Sequence, residues 1–158
     1  MKIHIATDHA GLEFKTKLAK HLKIRGYDVV DHGAHEYDPD DDYPEFIINA
    51  AEAVAKDISE DTEALGVVFG GSGNGEQIAA NKVVGIRAAL VWNESTAKLA
   101  REHNNANIIS IGARQHSESE ALGLIDTFLE TPFSGEERHV RRIQQISSYE
   151  TDYSTQAR

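Results

Sequence analysis

The chain has 158 residues and a mass of 17.4 kDa, which suits one domain with a sizeable core and leaves little room for a second. Its net charge of −10 disfavours nucleic acid and anionic membranes as partners, and its lack of cysteine excludes disulfides, thiolate metal sites and cysteine nucleophiles. It contains no apolar run of about 18 residues and begins with a strand-like segment, so we expect no membrane span and a cytoplasmic location.

Strand-like and helix-like hydrophobic patterns alternate along the chain. Strands are predicted at 2–7, 27–31, 65–69, 86–92 and 107–111, and helices at 12–25, 44–58, 75–83, 95–104, 118–130 and 136–149. The pattern predicts an α/β fold: a three-layer, doubly wound (Rossmann-like), five-stranded parallel sheet with helices on both faces. We place a single domain at 1–150, followed by a polar tail at 151–158 that is predicted to fray.

The most apolar strand is followed by a glycine-rich loop. Its residues are Gly70, Gly71, Ser72, Gly73, Asn74 and Gly75. Such a loop can point backbone N–H groups and the positive end of the next helix at an anion or a developing oxyanion. A tight turn between a strand and a helix needs glycine in any case, so a purely structural role stays open. Because neither a dinucleotide nor a nucleoside-triphosphate fingerprint fits, we expect an anion smaller than a nucleotide.

Three polar residues lie where the carboxyl ends of the first and third strands would form a crevice. Glu76, in the first turn after the glycine loop, is either a carboxylate stabilised by the helix dipole or a general base. The second role requires burial, because the dipole alone would lower its pKa. Asp8 and His9 end the first strand; helix capping accounts for Asp8 but not for His9.

A local basic cluster stands out in this acidic chain. Arg138 and Arg142 are four residues apart on the last helix, so both guanidinium groups project from one face. They repel each other unless an anion lies between them, and forked donors suit phosphate. A surface face paired with Glu136 and Glu137 is the alternative.

Other polar positions are less specific. His103 and Asn104 end the fourth helix, where a histidine is favoured electrostatically, and Arg114 follows the fifth strand at its carboxyl end. The acidic run at 36–42 lacks the spacing and glycine of a calcium loop, so we interpret it as solvated. The remaining histidines do not form a zinc pattern, and no metal site is predicted.

Eight short motifs occur in a specific order between Ile3 and Ile146. They are Asp8-His9-Ala10-Gly11, Asp42-Tyr43-Pro44, Gly71-Ser72-Gly73-Asn74-Gly75, Ile78-Ala79-Ala80-Asn81-Lys82, Gly85-Ile86-Arg87-Ala88, His103-Asn104, Gly112-Ala113-Arg114 and Arg138-His139. Together they resemble the type B ribose-5-phosphate isomerase family, whose other members isomerise galactose 6-phosphate. The resemblance implies a homodimer whose active site mixes residues of both subunits; whether dimers pair into a tetramer stays open at this point. It also implies interconversion of ribose 5-phosphate and ribulose 5-phosphate without a metal or another cofactor.

The resemblance also implies a role for each matching residue. Many members have a cysteine base where this chain has Gly70, whereas a ribose-phosphate subset has glutamate at the position of Glu76, to which we assign the base. The other implied roles are substrate contact by Asp8 and His9, contact with the sugar's reacting end by the backbone of Gly71–Gly75, ring opening by His103, hydroxyl binding by Asn104, and phosphate binding by Arg114, Arg138 and Arg142.

Two alternatives remain open at this point. One is an isomerase of a six-carbon sugar phosphate, such as allose 6-phosphate or galactose 6-phosphate. The other is a non-catalytic phosphate-binding module on the same fold, because a fold does not determine a function.

Overall fold

The computed structural model describes the backbone of residues 1–156 and the side chains of residues 1–152. The strands are β1 (Lys2–Thr7), β2 (Asp28–Asp31), β3 (Ala64–Gly70), β4 (Ala88–Leu90) and β5 (Ile108–Gly112). The helices are α1 (Leu12–Ile24), α2 (Tyr43–Ser59), α3 (Asn74–Ala80), α4 (Glu94–Asn104), α5 (Glu118–Glu130) and α6 (Glu137–Gln156), with a short 3-10 turn at His9–Gly11 before α1.

The strands form a single five-stranded sheet in the order β2-β1-β3-β5-β4, and every neighbouring pair is parallel. All seven residues of β3 are buried, as expected for a central strand that is covered on both faces. The predicted doubly wound α/β fold is confirmed.

Alternate side chains of the sheet enter two separate cores. Val67 and Phe69 pack with α1, α4 and α5 on one face, whereas Val68 packs with α2 and α3 on the other. The burial of these apolar faces on both sides fixes the three-layer arrangement.

The winding of the chain places a crevice at the middle of the sheet. From β1 the chain passes outward to β2, then crosses back over β1 to reach β3. The connections that leave β1 and β3 therefore diverge, and the space between their carboxyl ends is the topological switch point where ligands bind in open α/β sheets.

Several element boundaries differ from the predicted ones. Helix α3 ends at Ala80 and β4 begins at Ala88, because the side-chain amide of Asn81 bonds both backbone groups of Ala88, at 2.9 and 2.8 Å. Helix α6 continues through Gln156 into the segment predicted to fray, and residues 157–158 lie outside the described residues. Among the described residues, no helix combines the length and apolarity that a membrane crossing requires.

Candidate active site

The glycine loop at 70–75 is held tightly against the end of the sheet. Gly73 has a positive φ of 80°, and a Cβ atom there would lie 2.8 Å from the side chain of Leu90. Its carbonyl oxygen accepts a hydrogen bond from Ser110 Oγ at 2.7 Å. Glycine is required at this position by both conformation and space.

The rest of the loop is also fixed from within the fold. The carbonyl oxygen of Gly70 accepts from the backbone N–H of Ala113 at 2.8 Å. Ser72 Oγ accepts from the backbone and the side-chain amide of Asn74, at 3.3 and 3.2 Å. These bonds rigidify the loop where β3 passes into α3.

Glu76 is folded back over Gly70. The residue is only 4% exposed, and a Cβ atom on Gly70 would lie 1.9 Å from Glu76 Oε1 and 2.4 Å from Oε2. The carboxylate therefore fills the volume that a side chain at position 70 would need. The burial that the base interpretation required is present.

The surroundings of Glu76 favour its protonated form. Burial raises the pKa of the Glu76 carboxyl, and the negative charge of Asp8 raises it further, while a hydrogen bond from the residue's own backbone N–H opposes them. A carboxylate whose pKa is moved toward neutrality is a stronger base than an exposed one, so it can abstract a proton from carbon more readily.

The end of β1 brings two more polar groups to the crevice. Asp8 Oδ1 accepts from the backbone N–H of Ala10 at 2.9 Å and so caps the 3-10 turn. His9 Nδ1 lies 2.6 Å from Asp41 Oδ1. The pKa of His9 is raised, first by this hydrogen bond, and the charge of Arg114 opposes that rise.

Arg114 lies beside the glycine loop. Its backbone N–H donates to the carbonyl of Gly71 at 3.2 Å, and its Nη1 would lie 3.5 Å from a Cβ atom on Gly71. The chain thus brings together one set of predicted site residues, which we name the crevice cluster: Asp8, His9, Gly71, Ser72, Gly73, Asn74, Gly75, Glu76 and Arg114.

The other predicted residues form a second group, which we name the helix-end cluster: His103, Asn104, Arg138 and Arg142. The ring of His103 lies 4.2 Å, centroid to centroid, from that of His139, a buried residue at the start of α6. Burial lowers the pKa of the His139 ring, the charges of His103, Arg138 and Arg142 lower it further, and the charge of Glu136 opposes them.

The two clusters lie at opposite ends of the strands: the crevice cluster at the carboxyl ends and the helix-end cluster at the amino ends. Helix α4 starts after β4, at the carboxyl ends of the strands, and its 11 residues run back toward the amino ends. At 1.5 Å per residue it spans about 16 Å, roughly the length of β5, so His103 lies far from the end of β3 in the same chain. A single copy of the chain does not unite the predicted site.

Arg138 shows the surface pairing that was its alternative interpretation. Its Nε lies 2.8 Å from Glu136 Oε2, and both side chains are more than half exposed. Arg142 is also exposed. Their roles toward phosphate stay predictions.

Sequence reasoning missed two crevice residues. The ring and hydroxyl of Tyr43 would lie 2.7 Å from a Cβ atom on Gly75, so Tyr43 covers the start of α3. The acidic run was interpreted as solvated, which is wrong for Asp41: its side chain is only 8% exposed. A contact with His9 across 32 positions leaves no periodic signal, whereas the start of α2 at Tyr43-Pro44 could have indicated Tyr43.

The fold and the crevice cluster define a class of protein. It is a doubly wound α/β protein that holds a buried carboxylate beside a glycine loop at the switch point, an arrangement suited to proton transfer on a small ligand. Comparison with known proteins agrees with this class. The sequence profile of the family described as Ribose/Galactose Isomerase matches residues 3–146, and the chain belongs to this family.

Its relatives include ribose-5-phosphate isomerase B of Mycobacterium tuberculosis, which is 52% identical over 150 residues, or 95% of this chain and 90% of the relative. A crystal structure of ribose-5-phosphate isomerase B from Mycoplasma genitalium with bound ribulose 5-phosphate superimposes with a TM-score of 0.90 and 43% identity, and covers 95% of this chain and 96% of that one. The structure of ribose-5-phosphate isomerase B from Clostridium thermocellum superimposes with a TM-score of 0.89 and 44% identity, and the match covers 97% of this chain and 99% of that one. The resemblance predicted from the motifs is confirmed.

Proposed function

We propose that this chain interconverts ribose 5-phosphate and ribulose 5-phosphate through an enediolate. The observation that carries the proposal is the carboxylate of Glu76, buried over Gly70 beside a rigid glycine loop. A helix-capping carboxylate has no need of burial, and a phosphate-binding module has no need of a base.

Glu76 acts as the base. Its carboxylate takes the proton from C2 of the open-chain aldose, which leaves an enediolate, and returns a proton to C1 to give the ketose. The proton of the C2 hydroxyl passes to the oxygen on C1, so the substrate neither gains nor loses atoms. Because the enediolate is planar and its two carbons are adjacent, one carboxylate reaches both.

The glycine loop stabilises the oxyanion. The carbonyls of Gly70 and Gly73 are bonded inside the fold, and we assign the donors to the oxyanion to backbone N–H groups of this fixed loop. Donors fixed in this way need no reorganisation as charge develops, and the loss of one such donor in other enzymes slows catalysis about 100- to 1000-fold.

A second copy of the chain supplies the helix-end cluster. His103 then assists opening of the furanose and Asn104 binds a hydroxyl, while Arg138 and Arg142 bind the phosphate together with Arg114 of the crevice cluster. This assignment follows from the separation of the two clusters in one chain and requires a homodimer, which could pair further into a tetramer.

The phosphorylated sugar is a ribose derivative in this proposal. The family description covers both ribose and galactose isomerases, whereas the relatives named above are all ribose-5-phosphate isomerases. The cytoplasmic location predicted from the sequence stays a prediction.

The function is tested by mixing the protein with ribose 5-phosphate and measuring ketose formation, with Glu76→Gln protein as the matched blank. A panel of ribose, allose and galactose phosphates, compared by kcat/KM, should rank ribose 5-phosphate first. A higher kcat/KM for a six-carbon phosphate would contradict the substrate assignment, and no ketose from any of them would contradict catalysis.

The shared site is tested by complementation. Glu76→Gln and His103→Ala proteins should each be inactive alone, whereas a mixed dimer should hold one site with both residues intact. Random mixing in equal amounts makes half of the dimers mixed, so about one quarter of wild-type activity should return. No recovery after subunit exchange, confirmed by mass spectrometry, would contradict a site shared between chains.

A further inference from the structure

The acidic segment between β2 and α2 sends one carboxylate into the crevice. The Asp41 side chain is 8% exposed and its Oδ1 lies 2.6 Å from His9 Nδ1. The other acidic residues of the segment are exposed: Glu36, Asp38, Asp40 and Asp42. Asp41 is therefore distinguished from its neighbours by position, not by residue type.

The short distance assigns a proton to the His9 ring. At 2.6 Å the contact is a charge-assisted hydrogen bond in which Nδ1–H donates to the carboxylate. Among the described residues, Asp41 Oδ2 is buried and has no hydrogen-bond partner. Because His9 is the only side chain among residues 1–152 that bonds this buried carboxylate, the pair is most stable when the ring is an imidazolium.

The same atoms could be taken for a cation site, since Asp8, His9 and Asp41 offer ligand atoms within 4.8 Å of one another. Two ligands of one tetrahedral zinc ion, each about 2.0–2.1 Å from the metal, lie more than 3 Å apart. The 2.6 Å between His9 Nδ1 and Asp41 Oδ1 is too short for that geometry. Asp8 Oδ1 is already engaged by the N–H of Ala10. A shared proton accounts for the geometry and a shared metal does not.

We propose that Asp41 is a positioning residue of the isomerase: it holds Nδ1–H of His9 and leaves Nε2–H as the ring's donor to an oxygen of the sugar phosphate. The proposal rests on the proposed function for its substrate, but not for the state of the ring. Around His9 lie Asp8, Asp41, Arg114 and the ring of Tyr37, whose centroid is 6.0 Å away. The hydrogen bond to Asp41 and the charges of both carboxylates raise the pKa of His9, against the opposing effects of burial and Arg114.

The state of the ring is measured directly, without turnover. Histidine ¹H–¹⁵N correlation spectra are recorded across pH, and the His9 signals are assigned as those missing from a His9→Asn protein. The pKa of His9 should fall in Asp41→Asn. The pKa of His9 should stay unchanged in Asp40→Asn, a matched change in the same segment, and should return toward the wild-type value in Asp41→Glu. A His9 titration that is the same in wild type and Asp41→Asn would overturn the proposal.

The consequence for catalysis is a rise in KM. At a pH where His9 is deprotonated in the Asp41→Asn protein but still protonated in wild type, Asp41→Asn should raise KM for ribose 5-phosphate roughly tenfold, and kcat should change less. The difference in KM between the two proteins should disappear at lower pH, where His9 is protonated in both. An equal loss of kcat/KM at every pH would indicate a merely structural role and contradict the proposal. If no protein turns over the sugar phosphate, the proposed function fails while the titration result still decides the role of Asp41.

Discussion

Replacing Gly70 by alanine tests the central feature of the site, which is the volume shared by residue 70 and the carboxylate of Glu76. The added Cβ atom would lie 1.9 Å from Glu76 Oε1, and contacts below 3.0 Å are essentially not found in proteins. Oε1 must therefore move by at least 1.1 Å. Neither the backbone of β3 nor the pinned glycine loop can make room, so the carboxylate is the part that moves.

The expected cost is large in catalysis and modest in stability. A displacement of about 1 Å in a reacting group can cost about 100-fold in rate, so kcat/KM should fall by about that factor, mainly through kcat. Crowding of a packed site destabilises by about 1–3 kcal/mol. As Glu76 leaves its buried position, its pKa returns toward the ordinary value, so the acid limb of the pH profile should move to lower pH.

The assay is ketose formation from ribose 5-phosphate across pH, together with thermal unfolding. Gly123→Ala is the matched control, because Gly123 lies in α5 and a Cβ atom there would meet no heavy atom within 4 Å. It should keep full activity and unfold about 0.5–1 kcal/mol less readily. Wild-type kcat/KM and an unmoved acid limb in Gly70→Ala would refute the reasoning.

The remaining predictions concern the base and the phosphate end. Glu76→Gln should leave the affinity for ribose 5-phosphate, measured by calorimetry, within a few-fold of wild type and abolish turnover; retained turnover would remove the base assignment. Because a base must be ionised, kcat/KM should rise with pH through the raised pKa of Glu76, and Asp8→Asn should move that limb to lower pH; a fixed limb would show that Asp8 does not act on Glu76. A carboxyl group whose pKa is raised by folding stabilises the folded state below its unfolded-state pKa, and this stabilisation is lost as pH rises through the folded-state pKa. The free energy of unfolding of Glu76→Gln should therefore increase relative to wild type as pH rises. Urea unfolding that shows no such trend would contradict the burial argument. Arg138→Ala should chiefly raise KM, since its guanidinium would bind the end of the sugar remote from the chemistry; an unchanged KM would remove it from the phosphate site.

The sheet and its crevice could be predicted because they depend on local periodicity and one topological rule. The apolar run at 65–69 is unbroken, as in a strand covered on both faces, and β3 has that position. Strands that alternate with helices must be parallel, so Asp8 and Glu76 had to meet at one edge. The sequence identifies His103 only as the end of the fourth helix; the structure shows that this helix returns from the carboxyl ends of the strands toward their amino ends.

What the sequence could not show depends on contacts between distant residues. The burial of Glu76 requires that Gly70 leave space for it, which no pattern of charge or hydropathy encodes. Asp41 looks like its exposed neighbours until the chain brings it to His9. The early end of α3 follows from a side-chain amide that bonds the backbone of Ala88, an interaction that propensity does not report.

The geometry of residue 70 gives a physical reason for a choice that the resemblance left unexplained. The resemblance implies that members of the family carry the base either as a side chain at the end of the third strand or as a glutamate in the first turn of the next helix. In this chain the Cβ of residue 70 and the carboxyl group of residue 76 claim the same volume, so only one of the two positions can carry a side chain that reaches the substrate from there. In the proposed mechanism Gly70 and Glu76 therefore act as a unit, because the missing side chain at residue 70 creates the buried position of the proposed base. A carboxylate at 76 beside any larger residue at 70 would be pushed toward solvent, where its pKa falls and its strength as a base falls with it.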